Sequence, residues 1–148
     1  MNEDILEIYT DGACRYGEGG WAAILIHTDK VVKIGGHENN TTSNRMELKA
    51  AIEALKYVKE QCNIIVYTDS QYLKKGITEW INLWLNNDWN KGKVNNKDLW
   101  ADLHKLSSNK CIKWRWVKAH RGNPMNEAVD LIAKSMINNK TSLLLTNY

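Results

Sequence analysis

The stretch Ile64-Ile65-Val66-Tyr67-Thr68-Asp69-Ser70 decides the fold. Its first four residues form an apolar run of strand length with polar residues on both sides, which is typical of a strand at the centre of a sheet. Upstream, residues 8–12 read Ile-Tyr-Thr-Asp-Gly and repeat the ending Tyr-Thr-Asp. The sequence therefore predicts two strands that end alike, at Asp11 and at Asp69.

The segment between these strands predicts a crossover helix. From Asn44 to about Lys59 the apolar residues recur at helical spacing, namely Leu48, Ala51, Ile52, Leu55 and Val58. Strand, helix and strand imply a right-handed crossover between parallel strands. Neighbouring strands lie about 4.7–4.9 Å apart. Adjacent placement would therefore bring the two aspartates to the carboxyl edge of the sheet, where open α/β sheets bind ligands.

The remaining patterns predict an antiparallel meander, further helices and one more strand. The predicted meander strands are Ile5–Thr10, Trp21–Ile26 and Val31–Ile34, and a later strand is predicted at Lys113–Val117. The other predicted helices are Tyr72–Lys75, Ile77–Leu85, Lys97–Leu106 and Pro124 to about Ile137. Asn123 suits the cap of the last helix and Pro124 its first position. Residues 139–148 are a C-terminal tail in which three leucines form no clear pattern.

Length and composition indicate one globular domain. The chain has 148 residues, of which 43% are hydrophobic and 25% charged, values that exclude the disordered and membrane classes. The acidic N-terminus predicts no signal peptide, and no apolar run is long enough for a membrane span. The three cysteines are widely separated and form no CxxC pair, so neither a disulfide framework nor a zinc site is expected. A cytoplasmic location is expected.

The charge is mild overall but unevenly distributed. The net charge is +3, which alone separates nucleic-acid binders poorly from other basic proteins. Between Lys110 and Arg121 there are five basic residues, no acidic ones and two interleaved tryptophans, Trp114 and Trp116. A half-exposed strand with solvated lysines and a surface that faces phosphates both fit this pattern.

Each candidate carboxylate has a purely structural alternative. An aspartate before Gly or Ser commonly caps a turn or a helix, and Asn44 and Glu47 have the spacing of a capping box. Asp130 fits an exposed helical position. Two aspartates in the same phase of one motif favour function, because close carboxylates raise each other's pKa and a hard cation relieves this. Glu47 and Asp130 both border the apolar stripe of their helices.

In this chain order, Asp11, Glu47, Asp69 and Asp130 resemble the four-carboxylate site of type 1 ribonuclease H, the bacterial-type ribonuclease HI family. The surrounding motifs are similar to the family's at residues 9–14, 41–48, 68–72 and 116–130, and residues 76–100 resemble its tryptophan-rich region. The match spans residues 5–137 and implies a ribonuclease H domain over residues 1–138. The implied fold class is α/β, with a five-stranded mixed sheet of an antiparallel meander plus parallel strands, flanked by helices on both faces.

The resemblance implies an endonuclease that hydrolyses the RNA strand of RNA/DNA hybrids and leaves 5′-phosphate and 3′-hydroxyl ends. Two Mg²⁺ ions, or Mn²⁺ as a substitute, would activate water and clamp the non-bridging oxygens. Asp11 would be shared by both ions, with Glu47, Asp69 and Asp130 completing the shell. His120 lies in a glycine-containing loop before the last helix, and an unperturbed pKa of about 6.5 suits it to proton transfer.

The resemblance also implies residues that bind the hybrid, whose RNA strand is distinguished by its 2′-OH groups. Those expected at the minor groove are Cys14, Asn44 and Gln71. Those expected to hold a DNA phosphate are Thr42, Arg45 and Asn96, and Trp80 is expected to flank a deoxyribose. Trp80 and Trp84 lie four residues apart on one helix face, so a core role for Trp80 stays open.

Two segments depart from the family pattern. The turn after Asp11, residues 15–20, is shorter and lacks proline. Residues 85–93 are poor in basic residues, whereas relatives with a basic protrusion carry a cluster of lysines and arginines there. Hybrid affinity is therefore expected to be weaker or to depend more on residues 110–121.

Three other interpretations fit less well. A transposase or integrase core places its glutamate last, whereas Glu47 comes between Asp11 and Asp69. The presence of all four carboxylates opposes a hybrid-binding module that has lost catalysis. A nucleotide-dependent kinase would need a Walker A motif, which the sequence lacks. The sequence therefore favours an enzyme that cleaves hybrids, acts as a monomer and has no membrane as a partner.

Overall fold

A computed structural model of the chain describes residues 5–58, 63–118 and 122–147. Its strands are β1 (Ile5–Arg15), β2 (Glu18–His27), β3 (Lys30–Glu38), β4 (Asn63–Thr68), β5 (Cys111–Trp116) and β6 (Leu143–Asn147). Its helices are α1 (Ser43–Tyr57), α2 (Gln71–Lys75), α3 (Ile81–Asn86), α4 (Asp88–Gly92), α5 (Lys97–Ser107) and α6 (Pro124–Asn139), with a π-helical turn at Gly76–Trp80.

The described residues form one mixed sheet in the order β5-β4-β1-β2-β3-β6. β1 pairs in parallel with β4, and β4 with β5, whereas the pairs β1–β2, β2–β3 and β3–β6 are antiparallel. The predicted meander, the parallel crossover and the α/β class are therefore confirmed. The expected count of five strands is wrong by one, because residues 143–147 of the tail pair with β3.

β1 extends further than predicted, so Asp11 lies inside this strand. Parallel pairing with β4 stops at Tyr9 and Tyr67, but β1 continues to Arg15 because β2 still pairs with it. The hairpin then turns through Tyr16 and Gly17, whose φ values of 52° and 80° match the type I′ turns that join twisted strands. Asp11 therefore lies just beyond the point at which β1 stops pairing with β4.

Helices cover both faces of the sheet and bury its apolar residues. On one face, α1 buries its predicted stripe together with the fully buried Trp100 and Leu103 of α5. On the other face, α6 packs Val129 and Ala133 against β2. Within residues 5–58, 63–118 and 122–147, no helix is long and apolar enough to cross a membrane.

The helix caps agree only in part with expectation. α1 begins at Ser43, and the side chain of Thr42, not Asn44, accepts the capping hydrogen bond, from the Arg45 N–H at 3.2 Å. The capping-box interpretation of Glu47 is therefore wrong, since the helix starts earlier than that spacing requires. Asn123 caps α6 as predicted, by accepting from the N–H groups of Met125 and Asn126.

The tryptophan-rich region is less regular than the predicted helix Ile77–Leu85. The chain forms the π-helical turn, then α3, and then the short turn α4, in which Trp89, Asn90 and Lys91 have left-handed φ values of 56°, 51° and 58°. Trp80 is half-buried, and its ring packs against Tyr72 and Trp84 at centroid distances of 5.9 and 6.0 Å. The aromatic residues therefore form one connected cluster.

Candidate active site

Three of the four predicted carboxylates converge at one end of the sheet. Asp11, Glu47 and Asp69 each offer an oxygen atom, and these atoms all lie within 4.8 Å of one another. Asp11 comes from β1, Glu47 from the first turns of α1, and Asp69 from the residue after β4. Residues far apart in the sequence thus meet at the carboxyl ends of the parallel strands. The repeated Tyr-Thr-Asp ending predicts this location for the two aspartates.

Gly12 allows α1 to approach β1 closely enough for this convergence. A Cβ atom at Gly12 would lie 2.4 Å from both the main-chain nitrogen of Glu47 and the carbonyl carbon of Met46. Contacts below 3.0 Å to main-chain atoms cannot be relieved by a side-chain rotation. The absence of a side chain at this position therefore lets the helix place Glu47 beside Asp11.

The electrostatics of the cluster disfavour ionised carboxylates. Asp11 keeps only 3% of its surface exposed. Burial, the charge of Asp69 and the neighbouring Asp130 carboxyl raise the pKa of Asp11 to about 8, although the Gly12 N–H, at 2.9 Å, opposes this. Burial and then the charges of Asp11 and Asp69 raise the pKa of Glu47 well above its ordinary value. A cation placed among these groups would favour their ionised forms.

Asp130 lies beside the cluster but outside the group of three. It is half-buried on α6, and its Oδ2 atom forms an ion pair with Lys134 Nζ, one helical turn later, at a distance of 3.1 Å. Its hydrogen bonding and charge contribute to the raised pKa of Asp11, which places the two side chains close together. Helix α6 therefore brings the fourth predicted carboxylate to the same end of the sheet.

The donor set fits a hard divalent cation. All ligands in the group are carboxylate oxygens, which Mg²⁺ and Mn²⁺ prefer. Within the described part of the chain, the buried Oε1 atom of Glu47 has no hydrogen-bond partner. A buried oxygen without a partner is costly, and a bound cation would satisfy it.

The residues expected at the minor groove are spread around this end of the sheet. Cys14 is half-buried on β1, and its thiol donates to the carbonyl oxygen of Thr41 at 3.4 Å. Asn44 and Gln71 are exposed in the first turns of α1 and α2. His120, the expected proton-transfer residue, lies outside the described residues.

The three residues expected to hold a DNA phosphate lie close together, but the arginine is already engaged. The Arg45 guanidinium donates to both carboxylate oxygens of Asp98, at 3.1 and 2.9 Å, and to Asn96 Oδ1 at 3.2 Å. The exposed Asp98 has a lowered pKa, mainly because of this hydrogen bonding. Thr42 caps the start of α1, the helix that carries Arg45. The Arg45 fork therefore joins α1 to the start of α5.

A second link ties this corner to the aromatic cluster. The Asn96 amide donates to the Tyr72 hydroxyl at 3.0 Å, and the same hydroxyl accepts from Trp100 Nε1–H at 3.0 Å. Asn96 itself has a left-handed φ of 61°, a conformation that asparagine tolerates better than most residues. The side chain of Asn96 thus uses both of its polar groups within the protein.

Sequence reasoning missed two residues that contact predicted site residues. Asp98 lies within the tryptophan-rich region of residues 76–100, and an acidic residue near a helix start gives no sign that it pairs with Arg45. Trp116 donates its indole N–H to the main-chain oxygen of Asp69 at 3.1 Å. In the sequence, Trp116 stands among the basic residues of segment 110–121, and this pattern fits a half-exposed strand or a surface that faces phosphates but does not indicate a contact with Asp69.

Comparisons with known proteins point to the family whose four-carboxylate site this sequence resembles. The RNase H family model matches residues 3–138. A ribonuclease H of Wolbachia sp. subsp. Drosophila simulans is 50% identical over 142 residues, which cover 93% of this chain and 98% of the relative. A ribonuclease H of Hahella chejuensis is 51% identical over 133 residues, covering 86% of this chain and 90% of that one.

The fold also matches a solved structure. The crystal structure of LC9-RNase H1, described as a type 1 RNase H with the type 2 active-site motif, superposes with a TM-score of 0.90 at 24% sequence identity. The superposition covers 99% of this chain and 79% of the other. With the family model and the close relatives, it leads to one conclusion: the chain belongs to the ribonuclease H family of enzymes, which cleave the RNA strand of RNA/DNA hybrids.

Proposed function

We propose that the chain hydrolyses its hybrid substrate by a two-metal-ion mechanism that leaves 5′-phosphate and 3′-hydroxyl ends. The convergence of Asp11, Glu47 and Asp69 within 4.8 Å carries this proposal. Phosphodiester hydrolysis needs a nucleophile and stabilisation of the negative charge that develops on phosphate oxygens. Carboxylates alone would repel that charge, so this cluster is useful to the reaction only together with cations.

In the proposed mechanism, the carboxylates would hold the metal ions, and the ions would bind the substrate phosphate. Bound Mg²⁺, or Mn²⁺ in its place, supplies Lewis acidity and lowers the pKa of water. Asp11 is the ligand proposed to be shared between two ions, as the family resemblance implies. Glu47, Asp69 and Asp130 complete the shell. His120 is proposed to transfer a proton during water activation or product release.

The proposed hybrid surface surrounds this cluster. Cys14, Asn44 and Gln71 are proposed to contact the minor groove, where 2′-OH groups mark the RNA strand. Trp80 is proposed to flank a deoxyribose. A DNA phosphate is proposed to bind at the corner built from Thr42, Arg45 and Asn96.

The Arg45 fork gives a prediction about binding. Arg45→Lys keeps the positive charge but cannot donate to both Asp98 oxygens and to Asn96 at once. We expect the KM for the hybrid to rise about 3- to 10-fold with kcat unchanged, because the phosphate corner loses its fixed geometry. Steady-state kinetics at several salt concentrations test this, since retained charge should leave the salt slope unchanged. An unaltered KM would contradict the role of the fork.

The central experiment compares nucleic acids and carboxylate variants. A labelled RNA/DNA hybrid is incubated with Mg²⁺ and the protein, beside free RNA and duplex DNA, and the product ends are identified. We expect only the hybrid to be cut, and Asp69→Asn to lower the rate by at least about 100-fold because one metal ligand is weakened. Asp102→Asn, which alters an exposed aspartate of α5, is the matched control and should cut like the wild type.

Three results would contradict the proposal. An intact hybrid with wild-type protein would contradict the activity, and equal cutting by Asp69→Asn would contradict the site. Product ends with 3′-phosphate would exclude the proposed mechanism.

We further propose that the enzyme acts as a monomer in the cytoplasm. The proposed ligands all come from one chain, so the site needs no second copy. The free thiols of Cys14 and Cys111 suit a reducing compartment. Sedimentation at working concentrations tests the monomer directly, with an expected mass near 17.0 kDa.

A further inference from the structure

Trp116 ends β5 beside the last residue of β4. It keeps 40% of its surface exposed, whereas the fully buried Trp100 contributes its whole ring to the core. A tryptophan exposed to this extent gains less from burial than Trp100 does. Its position is therefore better explained by what its polar edge does.

The indole of Trp116 adds a side-chain hydrogen bond just beyond the last main-chain bond between β4 and β5. Thr68 and Trp116 are register partners, and the Val117 N–H donates to the Thr68 carbonyl oxygen at 2.8 Å. The next carbonyl oxygen, that of Asp69, accepts from Trp116 Nε1–H at 3.1 Å. A side chain of β5 thus holds the main chain of Asp69, whose carbonyl oxygen is not part of the ladder between β4 and β5.

The same peptide, between Asp69 and Ser70, is also held through its N–H. The Ser70 N–H donates to Thr68 Oγ1 at 3.0 Å. The Ser70 hydroxyl in turn accepts from the Leu73 N–H at 3.0 Å and caps α2. Trp116 therefore holds the Asp69 carbonyl, which lies between the end of β4 and the Ser70 cap of α2.

We propose that Trp116 is a positioning residue for Asp69, whose main-chain oxygen it holds so that the carboxylate stays within reach of Asp11 and Glu47. This inference rests on the proposed function, in which Asp69 is a metal ligand. The Asp69 side chain can rotate about its own bonds, but the position of its main chain sets how close its carboxylate comes to Asp11 and Glu47. A fixed main chain limits how far it can move and lowers the cost of reassembling the ligands when the cation arrives.

The test uses the same substitution at two neighbouring tryptophans of β5. Trp116→Phe keeps an aromatic ring but removes the N–H donor. Trp114→Phe is the matched control, because Trp114 is half-buried on the core side of the strand and packs against the main cluster. Mn²⁺ binding is measured by calorimetry on the protein without nucleic acid, and thermal unfolding and hybrid cleavage are measured in parallel.

We expect Trp116→Phe to weaken Mn²⁺ binding about 10-fold and to lower kcat by a similar factor, with the KM for the hybrid unchanged. Trp114→Phe should lower the Tm but leave Mn²⁺ binding as in the wild type. Unchanged Mn²⁺ affinity in Trp116→Phe, or equal weakening in both variants, would overturn the inference. A raised KM with unchanged kcat would also overturn it, because the ring would then contact the substrate instead.

The metal titration separates this inference from the proposed function. A wild type that binds Mn²⁺ but leaves the hybrid intact refutes the proposed function, while the comparison of the two tryptophan variants still decides the role of Trp116.

Discussion

Asp11→Asn is expected to lower kcat by at least about 10³-fold and, at alkaline pH, to raise the Tm of the metal-free protein. The loss of activity follows because Asp11 is the ligand proposed to be shared between both ions. The gain in stability follows because Asp11 is buried beside Asp69 and Asp130, so its charged form is costly without a cation. One substitution thus moves activity and stability in opposite directions.

The pH dependence of this gain has a definite sign. The pKa of Asp11 is about 8 in the folded protein, against about 3.9 in an unfolded chain. Between these values the folded state holds a proton that the unfolded state has lost, so the free energy of unfolding falls as the pH rises from about 4 to about 8. Asparagine cannot ionise, so this contribution to the pH dependence disappears in the variant.

Thermal unfolding in a chelating buffer between pH 5 and pH 9 measures the effect. We expect the Tm of Asp11→Asn to exceed that of the wild type by roughly 5–10 °C at pH 9 and by much less at pH 5. Added Mg²⁺ should narrow the gap by stabilising only the wild type strongly. Parallel pH curves for the two proteins would show that Asp11 does not titrate as described, and Asp102→Asn again serves as the control.

Gly12→Ala is expected to cost about 3 kcal/mol or more of stability and to reduce hybrid cleavage severely. The new Cβ would lie 2.4 Å from main-chain atoms of Glu47 and Met46, so α1 would have to move away from β1. The same movement would carry Glu47 away from Asp11. Urea unfolding and cleavage rates measure the two consequences.

Gly17→Ala is the control for this substitution. Gly17 has a φ of 80° with no atom within 4 Å of its Cβ position, so alanine there meets only backbone strain. We expect a cost of about 1 kcal/mol and nearly normal cleavage. Equal losses in the two variants would contradict the importance of the close approach at Gly12.

The sequence predicted the elements whose side chains alternate or repeat clearly. The apolar stripe of α1 follows the helical period, and Leu48, Ala51, Ile52 and Leu55 are buried as expected. In the apolar run Ile64–Tyr67, Ile64 and Val66 are buried, whereas Ile65 and Tyr67 are half-buried. The strand β6 was missed because Leu143, Leu144 and Leu145 are consecutive, so neither period applies, and Leu144 and Leu145 remain exposed at the sheet edge. The pairing with β3 that defines this strand is a tertiary contact, which a local pattern does not record.

The carboxylate site was predictable for a specific reason. The repeated Tyr-Thr-Asp ending put Asp11 and Asp69 in the same phase of neighbouring parallel strands, as the pairing of Tyr9 with Tyr67 confirms. The contacts of Asp98 and Trp116 were not predictable, because they join residues 53 and 47 positions away in the chain. Trp116 moreover contacts a main-chain oxygen, which every residue has.

The direction of β6 has a practical consequence for handling the molecule. Asn147 pairs with Val31, and the register continues through Ile26 to Glu7 of β1. The end of β6 is therefore about 14 Å to the side of β1, and about 13 Å back along it from Asp11. Attaching the protein to a bead or a glass surface at this end of β6 would leave the carboxylate end of the sheet away from the support, so that single molecules could be followed through successive cuts of a long hybrid.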